Sequence, residues 1–266
     1  MSSDSDDALE ASFIFKEPED FYPPEKPPTF AQHTLRSGQT ITLRLVGHNP
    51  LWGHLLWNAS RITADYLEEH ADTLVKDKSV LEFGAGAGLP SLVCAINGAK
   101  QVVVTDYPDE DLIENLRHNI EHCTATPENV VAEGYLWGNP PSNLTSHLPS
   151  SAGDRSFDLL ILADLLFNHS EHRKLVLSMQ KTLTRTADAK ALVFFSPHRP
   201  WLFDKDMAFF DLAREMGFVV EKVLERKMDK AMMDENGSVR RSVHDVGDEE
   251  VKKVVFGYQL GWAGLQ

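Results

Sequence analysis

Val80-Leu81-Glu82-Phe83-Gly84-Ala85-Gly86-Ala87-Gly88-Leu89-Pro90 is a short apolar run that passes through three alternating glycines into a helix start. Glycines at this spacing let the chain turn sharply after a strand, and they let a ligand approach where no Cβ intervenes. One helix length further on, Val102-Val103-Val104-Thr105-Asp106 is a second apolar run that ends in a carboxylate. Asp106 falls about 20 residues beyond the loop, the place where a ribose diol would be held. The two runs together predict a site for a nucleoside-bearing cofactor.

Outward from this centre, apolar runs and helical patterns alternate. Strands are predicted near 79–83, 101–105, 129–133, 157–163 and 191–196, with helices near 88–97, 110–122, 170–184 and 205–216. Right-handed crossovers then put helices on both faces and bury every central strand, giving a parallel, doubly wound α/β sheet. Ligand belongs outside the carboxyl ends of its strands. Upstream, 40–46 alternates like a strand, and Leu55, Leu56, Ala59, Ile62 and Tyr66 recur at helical spacing in a lead-in helix. After Gly217, Phe218–Leu224 and Val254–Leu260 read as two more strands around a polar stretch, 225–253, whose role the sequence leaves open. Residues 1–36 read as a flexible, acidic and proline-rich arm that cannot fold alone, and 37–266 as the single catalytic domain.

The chain has 266 residues, of which 42% are hydrophobic, enough for one core plus extensions. Its formal net charge of -14 opposes phosphate backbones, so no nucleic acid is expected as direct substrate and a basic protein is the better partner. Cys94 and Cys123 form no CxxC pair, which favours a reducing compartment; Cys94 is expected in the core. No apolar stretch approaches the roughly 18 residues of a membrane helix, and Met1-Ser2-Ser3-Asp4-Ser5-Asp6-Asp7 lacks a positive leader, so the expectation is a cytoplasmic protein with no membrane partner.

A dinucleotide fold wants G-x-G-x-x-G, but the third glycine of that pattern would fall at Leu89. Gly84, Gly86 and Gly88 instead make G-x-G-x-G with Glu82 two residues upstream. That form is similar to the first motif of S-adenosylmethionine-dependent methyltransferases. An acidic Glu82 also tolerates an ammonium and a sulfonium better than a pyrophosphate. Asp106 has a plainer reading as a helix cap. Phe157-Asp158-Leu159-Leu160-Ile161-Leu162-Ala163-Asp164 is a buried run ending in a second carboxylate, which places Asp164 at the reaction centre or, again, as a cap. His118 with His122 and His169 with His172 lie at helical spacing, but no third ligand accompanies them and no metal site is expected. Ser196-Pro197-His198-Arg199-Pro200-Trp201 follows the fifth core strand, where it could reach a substrate or simply turn the chain.

The chain resembles the seven-strand protein methyltransferases that modify lysines and amino termini. Within them it is similar to the fungal, nicotinamide N-methyltransferase-like branch that acts on translation elongation factor 1-alpha. The likeness rests on Phe15-Lys16-Glu17-Pro18-Glu19-Asp20-Phe21-Tyr22-Pro23-Pro24, His54-Leu55-Leu56-Trp57-Asn58-Ala59, the glycine loop, Gly134-Tyr135-Leu136-Trp137-Gly138, and Ala163-Asp164-Leu165-Leu166-Phe167-Asn168-His169. It implies a seven-stranded sheet closed by an antiparallel carboxy-terminal pair. It also implies S-adenosyl-L-methionine as cofactor, contacted by Trp57, Gly84, Ala85, Gly86, Asp106, Trp137 and Ala163, and Glu82, Gly88 and Tyr107 beside them complete the expected cofactor-binding set. Asp164, with Asn168 or His169, is then expected to hold the amine, and the basic protein substrate to be translation elongation factor 1-alpha. One departure stands out: related lysine methyltransferases carry Asp-x-x-Tyr where this chain has Asp164-Leu165-Leu166-Phe167. A small-molecule N-methyltransferase of the nicotinamide type shares the cofactor half, and a non-catalytic cofactor-binding scaffold is the alternative from another class.

Overall fold

The computed structural model describes residues 26–47, 53–123, 128–149, 155–232 and 250–265. Most of the sequence-predicted arm, and most of the polar stretch 225–253, lie outside them. The chain opens with a hairpin of β1 (Thr29–Thr34) and β2 (Thr40–Leu45), paired antiparallel from Thr34 opposite Thr40 to Thr29 opposite Leu45. Thus residues 29–34, read from the sequence as the end of the arm, form a strand. Its partner alternates as a half-buried strand should: Ile41, Leu43 and Leu45 are buried, while Thr40 and Thr42 face outward.

Beyond the hairpin come α1 (Asn58–Glu69), α2 (Ala71–Leu74), β3 (Ser79–Phe83), α3 (Leu89–Ile96), β4 (Gln101–Asp106), α4 (Glu110–His122) and β5 (Val130–Gly134). The second half runs through α5 (Ser142–Thr145), β6 (Leu159–Ala163), α6 (His172–Thr182), β7 (Lys190–Phe195), α7 (Phe203–Glu215), β8 (Phe218–Lys227) and β9 (Val254–Trp262). Strands β3 to β9 make one sheet in the order β5-β4-β3-β6-β7-β9-β8. Every neighbour pair from β5 to β7 is parallel, and β9 runs antiparallel to both β7 and β8. This is the doubly wound sheet with a closing antiparallel pair.

The core is split by the sheet. Successive side chains of a strand point to opposite faces, so Val80, Val102, Leu159 and Ile161 join α1 and α3 on one side. Leu81, Phe83, Val103, Leu160 and Leu162 join α6 and α7 on the other. Because both faces are covered, all of β3 is buried, and the strands read as continuous apolar runs rather than alternating ones. The predicted strand at 157–163 begins two residues later: Phe157 makes a single bridge to Leu183 instead. The helix expected at 170–184 spans His172–Thr182, with a tight 3₁₀ turn at His169–Glu171 before it. The hairpin is fastened to α4 by Asn115 and Asn119, both buried and one turn apart. Asn119 Oδ1 accepts the Arg44 N–H at 2.7 Å, and both side-chain amides donate to the Arg44 carbonyl at 2.9 Å.

From β3 the chain winds outward to β4 and β5, then returns to β6 on the opposite side of β3. The chain reverses direction across the sheet between β3 and β6, and a crevice opens there beyond the strand tips.

Candidate functional site

The crevice is a cavity of about 540 Å³ at the carboxyl ends of β3, β4, β5 and β6, within the roughly 300–1,000 Å³ of small-molecule sites. Gly84, Ala85 and Gly86 after β3, Asp106 and Tyr107 at the end of β4, Trp137 after β5, and Ala163 and Asp164 at the end of β6 all border it. Trp57, just ahead of α1, and Asn168, ahead of α6, complete the predicted set that the fold brings together. Glu82, Gly88 and His169 are not among the lining residues.

The glycine loop needs its glycines for two different reasons. Gly84 has φ +56°, and a Cβ there would stand 2.5 Å from Leu165 Cδ2 and 3.4 Å from Trp137 Cζ2. Gly86 has φ +57° with nothing within 4 Å of a Cβ, so its bare backbone faces open space. The turn is tied down by Asp106, whose Oδ2 accepts the Gly86 N–H and whose Oδ1 accepts the Tyr107 N–H, each at 2.7 Å. Burial pushes the Asp106 carboxyl above its ordinary pKa, against the pull of those two amides. Its oxygens keep lone pairs for further donors. A buried carboxylate in reach of a bare-backbone turn, with Trp137 alongside, suits an adenosyl cofactor whose ribose offers two hydroxyls, so S-adenosylmethionine fits the residues present.

Glu82 has another task. It is 1% exposed, and its carboxyl accepts both the Ser91 hydroxyl and the Ser91 N–H, the latter at 3.0 Å. Ser91 is the third residue of α3, whose cap position is Gly88 with φ +77° and no side chain to offer. Glu82 therefore satisfies, from the neighbouring strand, an amide that a capping side chain would otherwise take. Burial raises its carboxyl to about 8, only partly offset by the Ser91 hydrogen bonds. The negative charge that the sequence reading assigned to it is mostly absent at neutral pH, and the side chain points under α3 rather than into the cavity.

Asp164 sits at the tip of β6 with φ +63°, a left-handed conformation rarely adopted by a residue with a side chain. Its N–H donates to the Phe194 carbonyl at 2.7 Å, and Oδ1 accepts the Ser196 N–H at 3.1 Å. Oδ2 lies 2.9 Å from His198 Nε2. The loop after β7, the adjacent parallel strand, thus holds Oδ1 by a hydrogen bond, while Oδ2 is buried without an aligned donor and has that loop's His198 at ion-pair distance. His169 turns away from the cavity, its Nε2 2.6 Å from Asp206 Oδ1. His172 is buried against Leu166 and Phe209, and desolvation lowers its pKa. His118 and His122 stack on each other at a centroid distance of 3.9 Å. Among the described residues no group of three or more His, Cys, Asp or Glu converges on a metal site. No described helix is long and apolar enough to cross a membrane.

The sequence reading missed Tyr135, Leu136 and the Glu171–Lys174 ion pair, all at the cavity wall. Tyr135 and Leu136 adjoin Trp137 in a stretch already singled out, so their place was available once β5 was known to end at Gly134.

A Rossmann-like sheet with this closing pair and this loop defines the architecture of class I methyltransferases. Residues 38–216 match the family described as lysine methyltransferase, and the chain belongs to that family. It is 49% identical over 255 residues to a protein N-terminal and lysine N-methyltransferase of Aspergillus fumigatus, covering 95% of this chain and 94% of the relative. It is 48% identical over 269 residues to a protein of the same name from Neurospora crassa, covering 98% and 92%. Among solved structures, a 16S rRNA methyltransferase of T. thermophilus in complex with AdoMet and guanosine superposes with a TM-score of 0.51 at 19% identity, covering 76% of this chain and 50% of that one. At that identity the likeness is one of fold. The chain is a protein methyltransferase.

Proposed function

We propose that this enzyme transfers methyl groups from S-adenosyl-L-methionine to the amino-terminal nitrogen and an adjacent lysine of translation elongation factor 1-alpha, in the cytoplasm. The observation that carries the reading is the near-full-length likeness to relatives named for amino-terminal and lysine methylation. The cavity's chemistry agrees with it. In this reading Asp106 receives the ribose hydroxyls, the backbone of Gly84, Ala85 and Gly86 borders the amino-acid end, and Tyr107 and Trp137 border the base. Trp57 and Ala163 close the remaining wall. In this reading Glu82 and Gly88 shape the loop and the start of α3 instead of touching the cofactor.

Bound there, S-adenosylmethionine supplies a methyl carbon already activated by its sulfonium. The chain has to present an uncharged amine in line and keep water away. Freeing a lysine of pKa about 10.4 from its proton costs roughly 4–5 kcal/mol at pH 7, against about 1 kcal/mol for an α-amine near 7.7–8.0. The amino terminus is the easier nucleophile, and a lysine needs more help from its surroundings. Asp164 and Asn168 are the polar groups that hold the amine, with His169 behind them on Asp206. A net charge of -14 favours a basic protein surface as substrate.

The test offers labelled S-adenosylmethionine with recombinant translation elongation factor 1-alpha, with its amino-terminal peptide, and with nicotinamide. Label on the first residue and a neighbouring lysine, read by mass spectrometry, is the expected result. Label on nicotinamide alone, or cofactor binding with no transfer to any of the three, overturns the proposal.

A further inference from the structure

Two buried side chains meet behind the cavity. His198 Nε2 and Asp164 Oδ2 are 2.9 Å apart, with side chains 9% and 5% exposed. His198 does not border the cavity. Its ring packs against Trp57, at a centroid distance of 4.7 Å and a tilt of 58°. Asp164 and Trp57 both line the cavity, so His198 is sealed between two of its walls. Three charged groups face the imidazole: Asp164 at the tip of β6, Asp206 on α7, and Arg199 in its own loop. Arg199 is engaged with the Phe167 carbonyl, and Asp206 with His169. Burial, the largest single influence, works against a charge on His198, but the two nearby carboxylates, Asp164 first and Asp206 after it, together hold the imidazole above its ordinary value. Buried charges survive in pairs.

We propose that His198 is a positioning residue: by balancing the Asp164 carboxylate from behind, it gives the cavity an acceptor with no net charge, which takes an uncharged amine in preference to an ammonium. The role rests on the methyl-transfer reading above. A lone carboxylate beside a substrate amine would stabilise the protonated form, since an opposite charge within about 4–6 Å shifts a pKa by roughly 1–3 units. That would hold the substrate in its unreactive state. Paired with the imidazolium, the same carboxylate can still accept an amine N–H without that penalty. The left-handed backbone of Asp164 and the Ser196 amide on Oδ1 fix the orientation in which the pair is made.

Two measurements test it. Proton NMR of the wild-type protein follows the His198 ring through pH, with Asp164→Asn for comparison. A midpoint above that of an unperturbed histidine, falling in the variant, is expected; a wild-type midpoint below it overturns the pairing and needs no variant to do so. The second is the pH profile of kcat on translation elongation factor 1-alpha for wild type and His198→Gln, which keeps an N–H donor and removes the charge. The acid limb of the variant is expected to move upward by about one unit, with tenfold less turnover below it and convergence toward wild type at high pH. A uniform loss at every pH, with the limb unmoved, reveals a packing role only and overturns the proposal. A wild type that binds S-adenosylmethionine but methylates no amine overturns the functional reading and this role with it, whereas an active wild type with an unmoved variant limb removes this role alone.

Discussion

Replacing Glu82 by Gln should remove a dependence of stability on pH that runs opposite to that of an ordinary paired carboxylate. In the folded protein the Glu82 carboxyl titrates at about 8 because burial disfavours its charge, whereas the ordinary value is 4.5. Between those two values the native state keeps a proton that the unfolded chain has released. Stability from this group therefore falls as pH rises, by about 1.4 kcal/mol per unit. Gln has the shape of the neutral acid and cannot titrate, so it lacks this slope. From pH 5.5 to 7.5 the Gln variant should gain about 3 kcal/mol on the wild type. Glu82→Ala, which also lacks the slope, leaves the Ser91 amide and hydroxyl buried without an acceptor and should lie about 2–6 kcal/mol below the Gln variant at either pH, at about 1–3 kcal/mol for each orphaned donor. Urea unfolding of the three proteins at both pH values gives the differences directly. A wild-type-to-Gln difference that stays constant across the range would refute the reasoning, because it would mean that Glu82 is charged in the fold and faces solvent or a cation.

Asp106→Ala removes the acceptor of the Gly86 and Tyr107 amides together with the ribose-facing carboxylate, and hydrogen bonds to a charged group are worth about 1.5–3 kcal/mol. Calorimetric titration with S-adenosylmethionine should show affinity lower by at least about tenfold, and an unchanged affinity would remove Asp106 from the cofactor site. Gly84→Ala puts a methyl group 2.5 Å from Leu165 Cδ2 at a positive φ. It should cost about 1–3 kcal/mol, seen as a lowered Tm, whereas Gly86→Ala has the same backbone strain but an open space in front of it and should spare packing.

What could be read from the chain depended on how far apart the deciding residues lie. Val102, Val103 and Val104 announce β4 by themselves, and a sheet covered on both faces makes each such run unmistakable. Once the strands and their order were known, the residues at their tips, Gly84, Asp106, Ala163 and Asp164, had to converge. The hairpin's first strand escaped notice because Thr29–Thr34 is mostly exposed and lacks a clean alternation, whereas its partner at 40–45 was legible. What fastens the hairpin is Arg44 in β2, bonded to Asn115 and Asn119 from more than 70 positions away. Glu82 is a subtler case, since its face was legible. It shares parity with Val80, whose side chain joins the cluster beneath α3, whereas a residue that meets ligand must leave the strand or sit at its end. Strand parity, rather than proximity to the glycines, foretells the direction of its side chain. The converse holds for His198: its loop follows β7, β7 lies beside β6, and parallel neighbours finish at the same edge, so a polar residue after one strand is delivered to the carboxylate after the other. Adjacency in the sheet, set by the reversal between β3 and β6, thus selects the partners at the site, and the 33 intervening positions between Asp164 and His198 matter less than the single strand spacing that separates their origins.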